Sequence, residues 1–249
     1  MVDIHSHIVF GVDDGSRTIE ETLEMLAAAA QAGTTDIVGT PHAHPQYPFE
    51  PEVIADRVAQ IRARCETPRV HTGSDFHLTF ENVQDALANP GKYTINGGRY
   101  LLVEFSDGAI PAGMDDVLAR LVEAGMVPII THPERTLSLR HRPDLLQKWV
   151  GLGCQIQVTG LSLSGRFGKE VKKVSAGLME SGLVHYLASD AHDPVDRHAR
   201  LDGTHALVTE NWGAEIAETL LRENPTAAIE NRSFEVKPRP KRRRWWVFG

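Results

Sequence analysis

The chain has 249 residues, 41% hydrophobic and 24% charged, with a formal net charge of −7. That length suits one large α/β domain with a substantial core. No long apolar run, charged leader or cysteine framework is present, so a transmembrane helix, signal peptide and disulfide scaffold are not expected, and a reduced cytoplasmic setting is.

In chain order, a strand is expected at 2–10, then a helix at 19–30. There Ile19, Leu23, Leu26, Ala27 and Ala30 recur at three and four, and Gly33 supplies a stop. A strand at 35–40, a helix at 53–64 and a strand at 69–74 follow. Next come a strand at 100–105, a helix at 114–124, a strand at 127–131 and a helix at 143–152. A strand at 154–158, a helix at 168–181 and a strand at 184–188 complete the alternation, with helices at 201–210 and 214–223 before Pro225. Seven strands separated by crossovers imply a parallel sheet covered by helices. The simplest arrangement is a distorted (β/α)7 barrel, one unit short of the TIM barrel, with chemistry at the C-terminal strand ends. An open doubly wound sheet is the alternative. "GLGCQI" lacks a third glycine, so Gly153 reads as a helix stop and not as a dinucleotide loop. Residues 1–236 read as a single domain, and 237–249 as a separate tail.

The opening "MVDIHSHIVFGVDDG" places Asp3, His5 and His7 on one strand face. Taken alone, that pattern fits a solvated edge strand. The other strands change the balance. At or just past their ends stand Asp14, His42 with His44 two later, Asp75, Glu104, His132 with Glu134 and Arg135, and Asp190 with His192. The sixth strand contributes little beyond Gln157 and Thr159. Independent accidents would scatter such residues along the elements, whereas these gather at one rim. Imidazoles and carboxylates without thiolate argue against a closed structural zinc site and suit a catalytic cluster of Mn, Fe or Zn. Nine candidates are too many for one ion and suit three.

"DIHSHIVFGVDDG", "LLVEFS", "THPER" and "ASDAH" resemble the PHP superfamily, named for polymerase and histidinol phosphatase. More narrowly, they resemble the bacterial metal-dependent protein-tyrosine phosphatases encoded with capsule and exopolysaccharide machinery. The resemblance spans about 1–230. It implies a PHP barrel holding three divalent ions, usually manganese. It implies that His5, His7 and Asp190 hold one ion, that Glu104 and His132 hold a second with Asp75 bridging, and that Asp14, His42 and His192 hold the third. Arg135 and Arg197 match family arginines that contact phosphate. The implied substrate is a phosphotyrosine protein: the autophosphorylated tail of a cognate, membrane-associated tyrosine kinase in polysaccharide synthesis or export. One departure is Asp75, in "GSD", where the family has a glutamate. Its side chain is one methylene shorter. "PHAHP" also differs locally; His42 is preferred to His44 because it lies closer to the strand end.

Three divalent ions against four carboxylates and a hydroxide leave a small positive charge, which suits a phosphate dianion. The expected reaction is direct attack on phosphorus by metal-bound hydroxide, with a tyrosinate leaving group that His192 could protonate. A cysteine phosphatase is excluded, because the positions that would need its arginine hold His71 and Gly160. Rival readings are a small-molecule phosphatase of the histidinol-phosphate kind, a nuclease, and a catalytically weak scaffold that docks a kinase. Histidines 71, 77, 141, 185, 198 and 205 are assigned to surface or packing roles, Cys65 and Cys154 to burial, and Tyr47, Phe49 and Phe76 to the pocket mouth or packing. The tail "KPRPKRRRWWVFG" contributes +6, which leaves −13 for the body and argues against nucleic-acid binding. The tail reads as a flexible extension. It also has the make-up for peripheral contact with anionic membrane lipid, which would place the protein at the inner face of the membrane.

Overall fold

Short apolar runs form the strands and amphipathic segments form the helices in the computed structural model, which describes residues 1–234. The tail at 237–249 lies outside the described residues. The strands are β1 (Val2–Ser6), β2 (Asp36–Gly39), β3 (His42–Ala43), β4 (Arg69–Thr72), β5 (Asp75–His77), β6 (Tyr100–Glu104), β7 (Val127–Thr131), β8 (Gln155–Thr159) and β9 (Tyr186–Ala188). The helices are α1 (Ile19–Gln31), α2 (Pro51–Arg64), α3 (Phe80–Ala88), α4 (Met114–Glu123), α5 (Pro143–Gly151), α6 (Gly160–Ser164), α7 (Lys169–Glu180), α8 (Asp202–Trp212), α9 (Ala214–Glu218) and α10 (Asn224–Ile229). Local chemistry sets their ends. Thr18 caps α1 by accepting the Glu21 N–H, and Gly33 follows its last turn at φ +84°.

All strand pairs are parallel, in a three-stranded sheet ordered β1-β2-β4 and a six-stranded sheet ordered β3-β5-β6-β7-β8-β9. The end of β9 lies against the end of β1: Asp190 N donates to His5 O at 2.9 Å, and His7 N donates to Ala191 O at 2.8 Å. Ile4, Val38, Leu102, Ile129 and Ala188, from strands of both sheets, pack with Tyr100 and Tyr186 into one buried cluster. On the outer surface, Leu101, Val103, Ile130 and Ile156 pack against Leu118, Trp149 and Leu178 from α4, α5 and α7. Met25, Leu26, Val58 and Ile61 from α1 and α2 cover Ile37 and Val70. Each such side chain contributes roughly 1.5–3 kcal/mol when fully buried.

The alternation of strands and helices follows the sequence expectation, with local differences. The first strand ends at Ser6 and not at residue 10, because the chain turns so that Ser16 N reaches His7 O at 3.0 Å. The strand expected at 69–74 ends at Thr72 as β4, and Asp75 opens a further, unexpected strand, β5, in the other sheet. Pro41 brings no amide hydrogen to the ladder, and pairing breaks between β2 and β3 and between β4 and β5 alike. α3 and α6 were not anticipated, and Pro225 lies in the first turn of α10, where its missing N–H costs nothing.

Gly15 permits the closest backbone approach near β1: a Cβ there would lie 2.2 Å from His7 O. Gly177, inside α7, has nothing within 4 Å of such a Cβ. Gly15→Ala is therefore expected to lower unfolding free energy by about 1–3 kcal/mol. Gly177→Ala should raise it by roughly 0.5–1 kcal/mol. Urea titration of both variants measures the contrast.

Candidate metal centre

Strand ends carry the polar cluster because the apolar cluster between the strands occupies the space below it. His5, near the end of β1, and His7, just past it, present their Nε2 atoms to each other at 3.3 Å. Both nitrogens lie 3.6 Å from Asp190 Oδ1, beyond β9. Asp75, at the start of β5, places Oδ2 3.4 Å from His5 Nε2 and 3.5 Å from His42 Nδ1. His42 Nδ1 also lies 3.4 Å from Glu104 Oε2, and Glu104 Oε1 lies 3.7 Å from His132 Nε2. On the other side, Asp14 Oδ1 lies 3.3 Å from His42 Nε2 and 3.6 Å from His192 Nε2. Four overlapping groups of ligand-type atoms result: His7-Asp14-His42-His192, His5-His7-Asp75, His5-His132-Asp190 and His42-Asp75-Glu104. Together they contain all nine residues singled out from the sequence. Asp75 reaches the centre despite its short side chain.

The imidazoles are held from behind. His5 Nδ1 meets Gln157 Oε1 at 3.0 Å, and His7 Nδ1 meets Asp13 Oδ2 at 2.7 Å, so both Nε2 atoms face the cluster. Asp13 also accepts N–H bonds from Gly15 and His42, which ties the Asp13–Asp14 turn to β3. Asp190 divides its oxygens. Oδ1 faces the histidines, while Oδ2 accepts from Arg135 and, at 2.7 Å, from Arg197. The Arg135 guanidinium lies 4.5 Å over the Phe167 ring, and the residue lines a cavity of about 410 Å³ that opens beside His42, Glu104 and His132.

Electrostatics follow from these contacts. Burial opposes charge on His5, but Asp75 and Asp190 outweigh it and raise its pKa to about 9. Burial is likewise outweighed at His42, where Asp14 and Glu104 raise the pKa to about 11. Burial and Arg135 push His132 down to about 4, and burial and His7 push His192 down to about 2. Burial would raise the pKa of Glu104, yet His42 and His77 hold its carboxyl well below the usual range; burial is overcome at Asp190 by His5 and Arg197. The cavity thus attracts cations.

Divalent ions fit this donor set. Nitrogen and oxygen ligands about 2.1 Å from one ion lie roughly 3.0–3.5 Å apart. The pairs above fall at 3.3–3.7 Å, mostly too long for hydrogen bonds. Asp75 Oδ2, His42 Nδ1 and His132 Nδ1 are buried without a hydrogen-bond partner.

Other residues fall outside the cluster. Asp3 accepts N–H bonds from His5 and Ser189. Glu134 accepts from Thr159 N and Ser162 Oγ beside α6. His44 faces His77, with ring centroids 4.5 Å apart, and joins none of the four groups. His77 corrects its surface-or-packing assignment: it lines the cavity, with Nδ1 3.8 Å from Glu104 Oε2. Its position two residues after Asp75, on the same strand face, was the available signal. Asp13 and Gln157 had no assigned role in the sequence; they orient histidines. Phe49 and Phe76 pack in the core, and only Tyr47 of the three aromatics lines the cavity.

Residues 1–230 match the family described as capsular polysaccharide synthesis, CpsB/CapC. The tyrosine-protein phosphatase YwqE of Bacillus subtilis (strain 168) is 33% identical over 250 residues, covering 98% of each chain. The tyrosine-protein phosphatase CpsB of Streptococcus pneumoniae is 29% identical over 239 residues, covering 92% of this chain and 98% of that one. A crystal structure from work on these two proteins, called there unique metal-dependent tyrosine phosphatases, matches with a TM-score of 0.89 and 31% identity, covering 98% of this chain and all of that one. A family match over nearly the whole described length, on a fold that gathers its His, Asp and Glu motifs at one rim, means that this chain belongs to the CpsB/CapC family of capsular polysaccharide synthesis.

Proposed function

We propose that the chain is a metal-dependent protein-tyrosine phosphatase. Its substrate in this reading is a phosphotyrosine protein of polysaccharide synthesis or export, the autophosphorylated tail of a cognate tyrosine kinase, met in the cytoplasm at the inner face of the membrane. The observation that carries the reading is the convergence of nine imidazole and carboxylate residues beside an open cavity with Arg135 at its edge. The similarity to named tyrosine-protein phosphatases supports it. Among the described residues no helix is long and apolar enough to cross a membrane. Residues 1–236 act as one catalytic domain. The hydrogen bonds between the ends of β1 and β9, and the apolar cluster shared by both sheets, support reading the strands as a distorted seven-unit barrel.

In this reading His5, His7 and Asp190 would hold one divalent ion, Glu104 and His132 a second with Asp75 between them, and Asp14, His42 and His192 a third, with Mn the expected metal and Fe or Zn the alternatives. Such ions supply an ionised water at neutral pH and offset charge on the phosphoryl oxygens. The chain's own groups do the positioning. Gln157 and Asp13 fix the tautomers of His5 and His7. Arg135 and Arg197 offer N–H donors for phosphoryl oxygens beside Asp190. Burial and the neighbouring His7 disfavour the charged form of His192, which suits a neutral imidazole ligand. A tyrosinate leaving group, with solution pKa about 10, needs less acid help than an alkoxide.

Chelation is expected to abolish p-nitrophenyl phosphate turnover, and Mn²⁺ to restore it; full turnover by metal-free protein would refute the reading. His5→Ala and Asp190→Ala should each lose several orders of magnitude in kcat. Asp13→Ala should weaken metal affinity by about 10–100-fold, measured by metal titration.

Metal binding should also release protons. His5, at about 9, and His42, at about 11, each hold a proton at pH 7. A metal ligand must be neutral imidazole, so binding at pH 7 displaces about two protons and affinity rises with pH. Calorimetry in buffers of different ionisation enthalpy counts them.

A further inference from the structure

We infer that Tyr47 and Phe105 form a slot that selects an aryl ester, a step that rests on the phosphatase reading and names what gives that site its substrate class. Three rings follow one another beside the cluster. The His7 and His42 centroids are 4.4 Å apart, and Tyr47 stacks on the outer side of His42 at 5.7 Å with only 19° between the planes. Tyr47 is fixed there by a tight turn: Tyr47 N donates to His44 O at 2.8 Å, and His44 N donates to Tyr47 O at 3.2 Å. Phe105 directly follows Glu104 and also lines the cavity. It is 7% exposed and stacks on the buried Trp149 at 5.0 Å and 14°, and Trp149 donates Nε1–H to Asp115. Phe105 is therefore held by packing, and the backbone of Tyr47 by its turn.

The slot works by the aromatic faces it offers. In an aryl phosphate one ester oxygen separates phosphorus from the ring. With the phosphoryl group beside His42, Glu104 and Arg135, the ring lies in the cavity that Tyr47 and Phe105 also line. There it meets an aromatic face in stacked or edge geometry. In a phosphoserine chain a single methylene separates the ester oxygen from the backbone. Such a chain brings no ring to the faces of Tyr47 and Phe105, which line the cavity. Selection thus falls on the leaving group, and the cluster itself is indifferent to it.

Steady-state kinetics of the Mn²⁺-loaded protein on a phosphotyrosine peptide, its phosphoserine counterpart and inorganic phosphate as inhibitor test the slot. Tyr47→Ala should raise KM for the phosphotyrosine peptide about tenfold, narrow its advantage over phosphoserine, and leave phosphate inhibition as in wild type. Tyr47→Phe, which keeps the ring, should retain the wild-type KM. An unchanged KM in Tyr47→Ala overturns the slot. Weakened phosphate inhibition in step with the KM change also overturns it, because Tyr47 would then act by shaping the cluster. Wild-type protein that turns over no aryl phosphate overturns the phosphatase reading itself, before any variant is compared.

Discussion

Four carboxylates, those of Asp14, Asp75, Glu104 and Asp190, face one small space, and their mutual repulsion is the constraint around which the rest of the molecule is built. Asp75 and Glu104 stand closest, in one group of ligand atoms within 4.8 Å of one another; at about 4 Å and an effective dielectric near 20, such a like-charged pair costs roughly 4 kcal/mol. The described residues relieve part of this. Arg135 and Arg197 engage one oxygen of Asp190, and His5 and His42 are held in their charged forms. Nearby buried acids are engaged outside the cluster. Burial raises Asp3 to about 6 and Glu134 to about 7, and both accept backbone N–H bonds from elements outside the cluster. Half of that compensation rests on the imidazole protons of His5 and His42, which divalent ions would replace.

The fold keeps these groups together by making their backbones immobile. Beneath the cluster, Ile4, Val38, Leu102, Ile129 and Ala188 fill the space between strands, so the strand ends cannot relax apart without opening that packing. The breaks at Pro41 and Gly73 serve the same end. They divide two long runs, so that β3 and β5 pair in register His42↔Asp75 while β2 and β4 pair further back. His42 and Asp75 thereby become neighbours across a ladder, and the two atoms stand 3.5 Å apart. Such placement lets the short side chain of Asp75 reach the centre.

That geometry explains which features could be read from the sequence. The rim was legible, because a charged or imidazole side chain at a strand end is a local signal and nine of them recur with one sense. His42 over His44 was legible from distance to the strand end. The split of residues 69–77 into two sheets was less so, since pairing partners are chosen across the whole chain and a lone Gly73 is only a weak sign of a break. α3 could have been found: Thr79 caps Asn82 N, and Val83 and Ala86 lie on its buried face. Gln157 and Asp13 were visible as residues but not as roles, because their function lies in which nitrogen of a distant histidine they leave free.

Arg135 shows why placement matters more than inventory. An arginine carries five N–H donors in a planar fork, so one nitrogen can stay on Asp190 while others remain available. Phe167 supports the plane of that fork from one side. Its backbone is fixed in turn: Arg140 donates to the carbonyl oxygens of Glu134 and Arg135 at 3.0 and 2.9 Å, and Asp107 accepts the Leu137 N–H. The positive edge of the cavity therefore stands in place before any anion arrives, and no reorganisation is needed when one does. A lysine could hold Asp190 or a phosphoryl oxygen as a point charge, but it has no rigid second donor to reach both. The same carboxylate that demands cations on one of its oxygens thus orients, through the other, the guanidinium groups that favour a phosphate in the proposed reaction.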